Sequence, residues 1–232
     1  VAILNPVKLD GAIVSRVTLN NYSFLKHMGI GVGSKVLVKR SGQVIPLITN
    51  VLTKKDFVYP EIEGGVEWDE NGVHLRTMIE TDDQKIKKIY AFFNIIGVEN
   101  VSIKTFELLY ENGYNTVKSI LELSKSDFSL LERFGERKSE NVYNAIQSKT
   151  KDISLPVLQH ASGLMKMLGK KKLILLEHFE SKPSISDILK IEGFSDTLAT
   201  NYLDGYDPFF EFIKDLPITW TKTKKVEALN ND

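Results

Sequence analysis

The sequence predicts an α+β chain with two main parts, an OB-fold β-barrel followed by an all-α domain of tandem helix-hairpin-helix units. Short β-branched segments separated by turn signals dominate the first part of the chain, a pattern typical of a small Greek-key barrel. From Asp82 onward, apolar residues recur at helical spacing and a glycine-containing phrase repeats four times. A fragment of a β-sandwich is the alternative for the first part.

The predicted barrel covers residues 1–57. β-Branched residues alternate through residues 11–19, and two further strand-like segments, residues 35–40 and 44–48, flank the turn signal Ser41-Gly42. The stretch from Asn21 to Met28 suits a short helix that ends at Gly29.

Residues 58–81 are predicted to form a connector that carries a small β-hairpin. An Asn71-Gly72 pair lies between Glu67-Trp68 and the apolar residues Val73 and Leu75, and Asn-Gly is a strong signal for a tight hairpin turn.

Charge is segregated along the chain although the net charge is zero. Residues 1–58 hold eight basic and two acidic residues, a net of +6, whereas residues 59–83 hold one basic and eight acidic residues, a net of −7. A basic first module fits a polyanionic partner. The alternative is that both segments are simply solvated surfaces, which would have the same net charges.

Composition excludes several classes of protein. With no cysteine there is no disulfide framework and no thiolate zinc site, and the four scattered histidines lack metal-ligand spacing, so we expect no bound metal. We see no apolar run that spans a membrane and no signal segment, which indicates a cytoplasmic protein without membrane contact.

The predicted helical domain covers residues 82–218, with a flexible tail at 219–232. Its repeated phrase is an apolar pair, a glycine and a polar turn, and it occurs at Gly97, Gly135, Gly169 and Gly193. Glycine permits a positive-φ turn and a close approach of the backbone to a ligand. The following helix begins with free N–H groups, which suit a phosphate oxygen.

A single such glycine is more readily explained as a helix cap, but four copies with basic residues after the turns (Arg137, Lys138, Lys170, Lys171 and Lys172) favour phosphate binding. The copies are imperfect, since Glu99 and Ser195 stand where a second glycine is expected and Arg133 where a first is expected. The second and third copies are therefore the best candidates. The predicted DNA contacts are Gly97, Val98, Phe134, Gly135, Arg137, Lys138, Gly169, Lys170, Lys171, Gly193 and Phe194.

Several phrases resemble NAD-dependent DNA ligases of the bacterial type. Residues 6–21 are similar to the start of their OB-fold, where Ser-Arg-Ala-Thr-Leu-His-Asn is usual and Val17 and Asn20 depart from it. Residues 40–46 resemble the family's Ala-Gly-Asp/Glu-Val-Ile-Pro turn. Residues 131–141 resemble its Leu-Glu-Gly-Phe-Gly-Glu-Lys-Ser-Ala-Glu-Asn segment.

The resemblance also has gaps. The family's four-cysteine zinc module corresponds to the connector, which has no cysteine. Packing through Trp68 and Tyr59 would therefore have to hold the connector in place. No part of the chain resembles the adenylation domain, which carries the lysine nucleophile in a Lys-x-Asp-Gly setting, or the terminal BRCT domain. The chain is then either a subunit of a split ligase or a fragment of a longer one.

The resemblance implies a DNA-binding part of a ligase that holds nicked double-stranded DNA and has no catalytic residue of its own. NAD and Mg²⁺ are expected on an adenylation-domain partner, and no cofactor on this chain. The OB-fold residues expected to contact DNA are Arg16, Lys39 and Arg40. For Lys39 the alternative is that its charge keeps an exposed edge strand soluble. The alternative function is a non-catalytic scaffold like the Holliday-junction-binding proteins.

Overall fold

The computed structural model describes residues 1–9, 11–41, 45–132 and 134–222. The chain divides into two compact units, Val1–Thr81 and Asp82–Asp232. The predicted turn residue Gly42, the predicted turn position Arg133 and most of the predicted tail lie outside the described residues. The finer division at residues 57 and 58 stays a prediction.

The first unit begins with two β-hairpins. Strand β1 (Ala2–Leu9) pairs antiparallel with β2 (Ala12–Val17), and β3 (Lys35–Ser41) pairs antiparallel with β4 (Ile45–Thr53). Strand β1 was not predicted. Its ladder is irregular between Ile3 and Val7, where Pro6 lacks the N–H that a regular ladder needs.

The strands that the structure describes form separate two-stranded sheets, so the hydrogen-bonded closure expected of a barrel is not seen among them. Between the hairpins lies helix α1 (Tyr22–Met28). It begins where the Asn21 side chain accepts a 2.7 Å hydrogen bond from the Phe24 N–H, and it ends at Gly29 with φ of 68°. Asn caps and left-handed glycine ends are favoured at these positions.

The connector forms the hairpin that Asn71-Gly72 predicts. Strand β5 (Val66–Trp68) pairs antiparallel with β6 (Leu75–Thr77). The Asp69 carboxylate accepts hydrogen bonds from the backbone N–H groups of Val73 and His74, at 2.8 and 3.1 Å. These two bonds hold the pKa of Asp69 below its usual value and close the turn.

Two aromatic residues pack the connector against the rest of its unit. Trp68 Nε1 donates a 3.1 Å hydrogen bond to the Tyr59 hydroxyl, and the two rings meet edge to face. The Ser23 N–H of α1's first turn donates to the Val73 carbonyl at 3.1 Å. The connector hairpin is therefore attached both to the segment that precedes it and to α1.

The second unit is helical, as predicted. Its core is one apolar cluster around Phe92, Phe93, Phe106 and Phe209, which are at most 2% exposed. Its helices are α2 (Asp82–Ile95), α3 (Ile103–Glu111), α4 (Val117–Leu121), α5 (Lys125–Leu130), α6 (Glu136–Gln147), α7 (Leu155–Ser162), α8 (Lys170–Leu176), α9 (Ile185–Leu189) and α10 (Asp196–Ile213).

Residues 219–222, which the sequence assigned to a flexible tail, are held in place instead. Strand β7 (Ile153–Ser154) pairs parallel with β8 (Trp220–Thr221). The Thr219 N–H donates to the Thr150 carbonyl at 2.9 Å, and Lys222 Nζ donates to the Phe179 carbonyl at 3.1 Å. The tail prediction was therefore wrong for these four residues. None of the helices in the described ranges is long and apolar enough to cross a membrane.

Candidate nucleic-acid interface

Each of the four repeated glycines lies in a connection between two helices. We call these connections the four glycine turns: Gly97 lies between α2 and α3, Gly135 between α5 and α6, Gly169 between α7 and α8, and Gly193 between α9 and α10. In this respect the repeat seen in the sequence corresponds to a repeat in structure.

The glycines are of two conformational kinds. Gly97 and Gly193 have φ of 95° and 82°, the left-handed region that glycine tolerates best. Gly135 and Gly169 share φ of −81° and ψ of 165°, and each is the residue that immediately precedes a helix. The expectation that all four permit a positive-φ turn was therefore wrong for Gly135 and Gly169. In the third turn the positive φ, 63°, belongs to Met167.

The second and third turns leave helix N-termini without a side-chain cap. Neither Gly135 nor Gly169 can supply one, and both residues are exposed. The first N–H groups of α6 and α8 therefore receive no side-chain cap from the residue before the helix. In α8 the third of them, the Lys172 N–H, donates to the Gly169 carbonyl at 3.0 Å. Such groups, at the positive end of the helix dipole, are suited to bind an anionic oxygen.

The fourth and first turns are less open. Ser195 caps α10, since its side chain accepts a 3.4 Å hydrogen bond from the Leu198 N–H. Helix α3 begins at Ile103, well beyond Gly97, and the side chain of Ser102 before it makes no capping hydrogen bond. Gly135 and Gly169 thus differ from Gly97 and Gly193 in lying directly before a helix, and which of the four turns contact DNA stays a prediction.

The apolar residues of the turns point into the core. Val98 and Phe134 are only 5% and 7% exposed, and Phe194 is half-buried. Their side chains therefore anchor the turns, and a contact from Val98 or Phe134 to DNA would have to come from the backbone.

The basic residues predicted after the turns are all at the surface. Arg137, Lys138, Lys170 and Lys171 are exposed. The Lys138 ammonium lies 4.0 Å from the centre of the Phe134 ring, a cation–π contact that keeps it beside its own turn.

The glycine turns lie near one another in pairs. The start of α3 (Asn100, Ser102, Lys104) and the start of α6 (Gly135, Arg137) line one open groove, which brings the first and second turns together. Lys172 Nζ of α8 donates to the Gly193 carbonyl at 2.5 Å, which joins the third and fourth. Lys172 was predicted only as one of the basic residues that follow the third turn, and Lys104 was not predicted, because the sequence repeat does not show which turns are adjacent.

The three predicted OB-fold contacts lie on two different strand pairs. Arg16 is exposed on β2, opposite Ile3, while Lys39 and Arg40 lie on β3, opposite Leu47 and Pro46. Lys39 is exposed and Arg40 is half-buried. The ion pairs found in the described part of the chain involve none of the three, so their charges are available to a polyanion.

The letters of the Lys-x-Asp-Gly nucleophile motif do occur, at Lys8-Leu9-Asp10-Gly11. Lys8 is exposed on β1 and pairs with Ile13 of β2, and Gly11 with φ of 80° lies in the turn between the two strands. Lys8, Leu9 and Gly11 are part of the first β-hairpin, and Asp10 lies outside the described residues. No three His, Asp or Glu side chains in the described ranges are grouped so that they could hold a metal ion.

Comparison with known proteins shows which family the first part of the chain resembles. Residues 1–57 match the NAD-dependent DNA ligase OB-fold domain. The chain is 30% identical to the DNA ligase of Clostridium novyi over 89% of its own length, and 30% identical to that of Acanthamoeba polyphaga mimivirus over 97%. It is 29% identical to the DNA ligase of Bacillus subtilis over its whole length.

Residues 1–57 are therefore similar to the OB-fold domain of NAD-dependent DNA ligases, and the resemblance stated from the sequence is confirmed. The chain spans 33% of the C. novyi protein and 38% of the other two. It corresponds to a part of these ligases, so the activity of the whole enzyme is not thereby assigned to it.

Proposed function

We propose that this chain is the DNA-binding part of an NAD-dependent DNA ligase, which clamps nicked duplex DNA while an adenylation domain seals the nick. The observation that carries the proposal is the matched pair of turns at Gly135 and Gly169. Both have the same backbone conformation, both precede an uncapped helix, and both are followed by exposed basic residues.

This arrangement suits recognition of the DNA backbone. Uncapped N–H groups and exposed lysines contact phosphate oxygens, which are present in every duplex, so binding is independent of base sequence. We interpret the four glycine turns as helix-hairpin-helix motifs. The basic strands that carry Arg16, Lys39 and Arg40 would contact the duplex near the nick.

The chemistry of AMP transfer is supplied by NAD and Mg²⁺ on the adenylation domain, which we place on a partner chain. The residues of the present chain bind and orient the DNA. The connector would serve as a metal-free replacement for the family's zinc module, held by Asp69, Tyr59 and Trp68.

Two assays test this function. The first compares binding of the chain to nicked duplexes of unrelated sequence, for which we expect equal affinities that fall with salt. The second measures sealing of a nick with NAD and Mg²⁺, with the chain alone and with an added adenylation-domain protein. We expect sealing only in the mixture. DNA binding without any effect on sealing would instead support the non-catalytic scaffold.

A further inference from the structure

Three consecutive lysines follow Gly169, and the third differs from the first two. Lys170 and Lys171 are exposed, whereas Lys172 is half-buried. Its Nζ donates a 2.5 Å hydrogen bond to the Gly193 carbonyl and lies 5.0 Å from the centre of the Phe194 ring. Both partners belong to the fourth glycine turn, while Lys172 belongs to the helix that follows the third.

The equivalent residue of the second turn makes a different contact. Lys138 is the third residue after Gly135, as Lys172 is after Gly169. The Lys138 ammonium lies over Phe134 of its own turn, whereas the Lys172 ammonium lies over Phe194 of a neighbouring turn. The same position therefore stabilises one turn in the first case and connects two turns in the second.

The Lys172 contact is close and directional. A β-carbon placed on Gly193 would lie 2.5 Å from Lys172 Nζ, so this ammonium packs directly against the backbone of the fourth turn. A hydrogen bond from a charged donor is stronger than one between neutral groups. The ring of Phe194 adds a cation–π contact on the same ammonium. Together these contacts restrict the movement of the fourth turn relative to α8.

We propose that Lys172 is a positioning residue that couples the third and fourth glycine turns into one DNA-binding surface, and that it is not itself a phosphate ligand. The DNA part of this inference rests on the proposed function. The coupling of the two turns does not, because it is a property of the free protein.

The DNA test compares Lys172→Met with Lys170→Met, a matched change at an exposed lysine of the same helix. Lys170→Met should lower the slope of log affinity against log salt by about 0.9, the value for one lost phosphate contact. Lys172→Met should leave the slope unchanged and weaken binding about tenfold, as expected for one lost charge-assisted hydrogen bond that fixes geometry. Lys172→Arg, which keeps a charged donor, should restore binding.

The second test needs no DNA. Backbone amide NMR of the full chain should show that Lys172→Met shifts the signals of Gly193 and Phe194, while Lys170→Met leaves them in place. Unshifted signals in Lys172→Met would overturn the coupling even if the chain binds DNA. A reduced salt slope in Lys172→Met, or an arginine variant as weak as the methionine variant, would overturn the positioning role. A wild-type chain that fails to bind nicked duplex would refute the proposed function, and the NMR comparison would still decide the coupling.

Discussion

Alanine at Gly135 or Gly169 should impair DNA binding and leave folding almost unchanged. Both glycines have φ of −81°, which alanine adopts without strain, and an added β-carbon would meet no atom within 4 Å. Gly→Ala at a compatible site stabilises a protein by about 0.4–1 kcal/mol through the unfolded chain. Loss of a favoured residue at the start of a helix costs about 1 kcal/mol.

These two effects oppose each other, so the net change in stability should stay within about 1 kcal/mol, or about 2–4 °C in melting temperature for a unit of this size. Binding should respond more strongly. The added methyl group occupies the open space beside the uncapped N–H groups, and a phosphate oxygen has to bind in the same space. Loss of one hydrogen bond to a charged group costs about 1.5–3 kcal/mol, a tenfold to hundredfold increase in Kd.

The assay is the affinity for nicked duplex together with the melting temperature of each variant. Gly97→Ala is the matched control, because φ of 95° makes alanine unfavourable there by about 1–2 kcal/mol whether or not DNA is bound. We expect a folding defect in Gly97→Ala and a binding defect in the other two. Wild-type affinity in both Gly135→Ala and Gly169→Ala would refute the idea that these turns contact phosphate.

Further predictions concern charge, chemistry and pH. Lys138→Ala should lower the salt slope of duplex binding by about 0.9, and an unchanged slope at full stability would show that this lysine does not contact phosphate. Incubation with labelled NAD and Mg²⁺ should leave the chain unlabelled. Covalently attached AMP that is present on the wild-type chain and missing from Lys8→Ala would show that Lys8 is a nucleophile. Metal analysis should find well below one zinc per chain, whereas a stoichiometric metal would mean that the connector has been misinterpreted. The Ser184 hydroxyl, aided by Lys190, lowers the pKa of Asp187 to about 2, so the stability that the Asp187 carboxylate contributes is complete above about pH 4 and is lost as the pH falls through about 2. The melting temperatures of Asp187→Asn and wild type should therefore converge at low pH, and a difference that stays constant with pH would contradict this.

Helices and hairpins with strong local signals were predictable from sequence. The period of Ile86, Ile89 and Phe93 predicted α2, and Ile89 and Phe93 are indeed buried. Asn21 and Gly29 marked the two ends of α1, and Asn71-Gly72 marked the connector hairpin. In each case the information lies within a few residues, in the period of apolar side chains or the chemistry of a cap or turn.

Features with an ambiguous local signal, or with contacts between distant segments, were not predictable. Strand β1 contains a proline, which argues against a strand unless the ladder is irregular at that point. Asp69 closes the connector turn by binding backbone groups, a role that many aspartates could have. The contact between Lys172 and Gly193 depends on how two helical segments pack, and a run of three lysines does not show which of them faces the protein.

The position of each glycine relative to its apolar neighbour accounts for the two kinds of turn. In Gly97-Val98 and Gly193-Phe194 the glycine precedes an apolar residue, and it takes a positive φ within the connection between two helices. In Phe134-Gly135 and Leu168-Gly169 it follows the apolar residue, so it begins the next helix with extended backbone. Glycine has no side chain to cap the helix, so the N-termini of α6 and α8 stay open. At the start of α10, Ser195 supplies the cap instead. The residue after each glycine therefore separates the two kinds of turn, since it is apolar after Gly97 and Gly193 and charged after Gly135 and Gly169, and this difference can be read directly from the sequence.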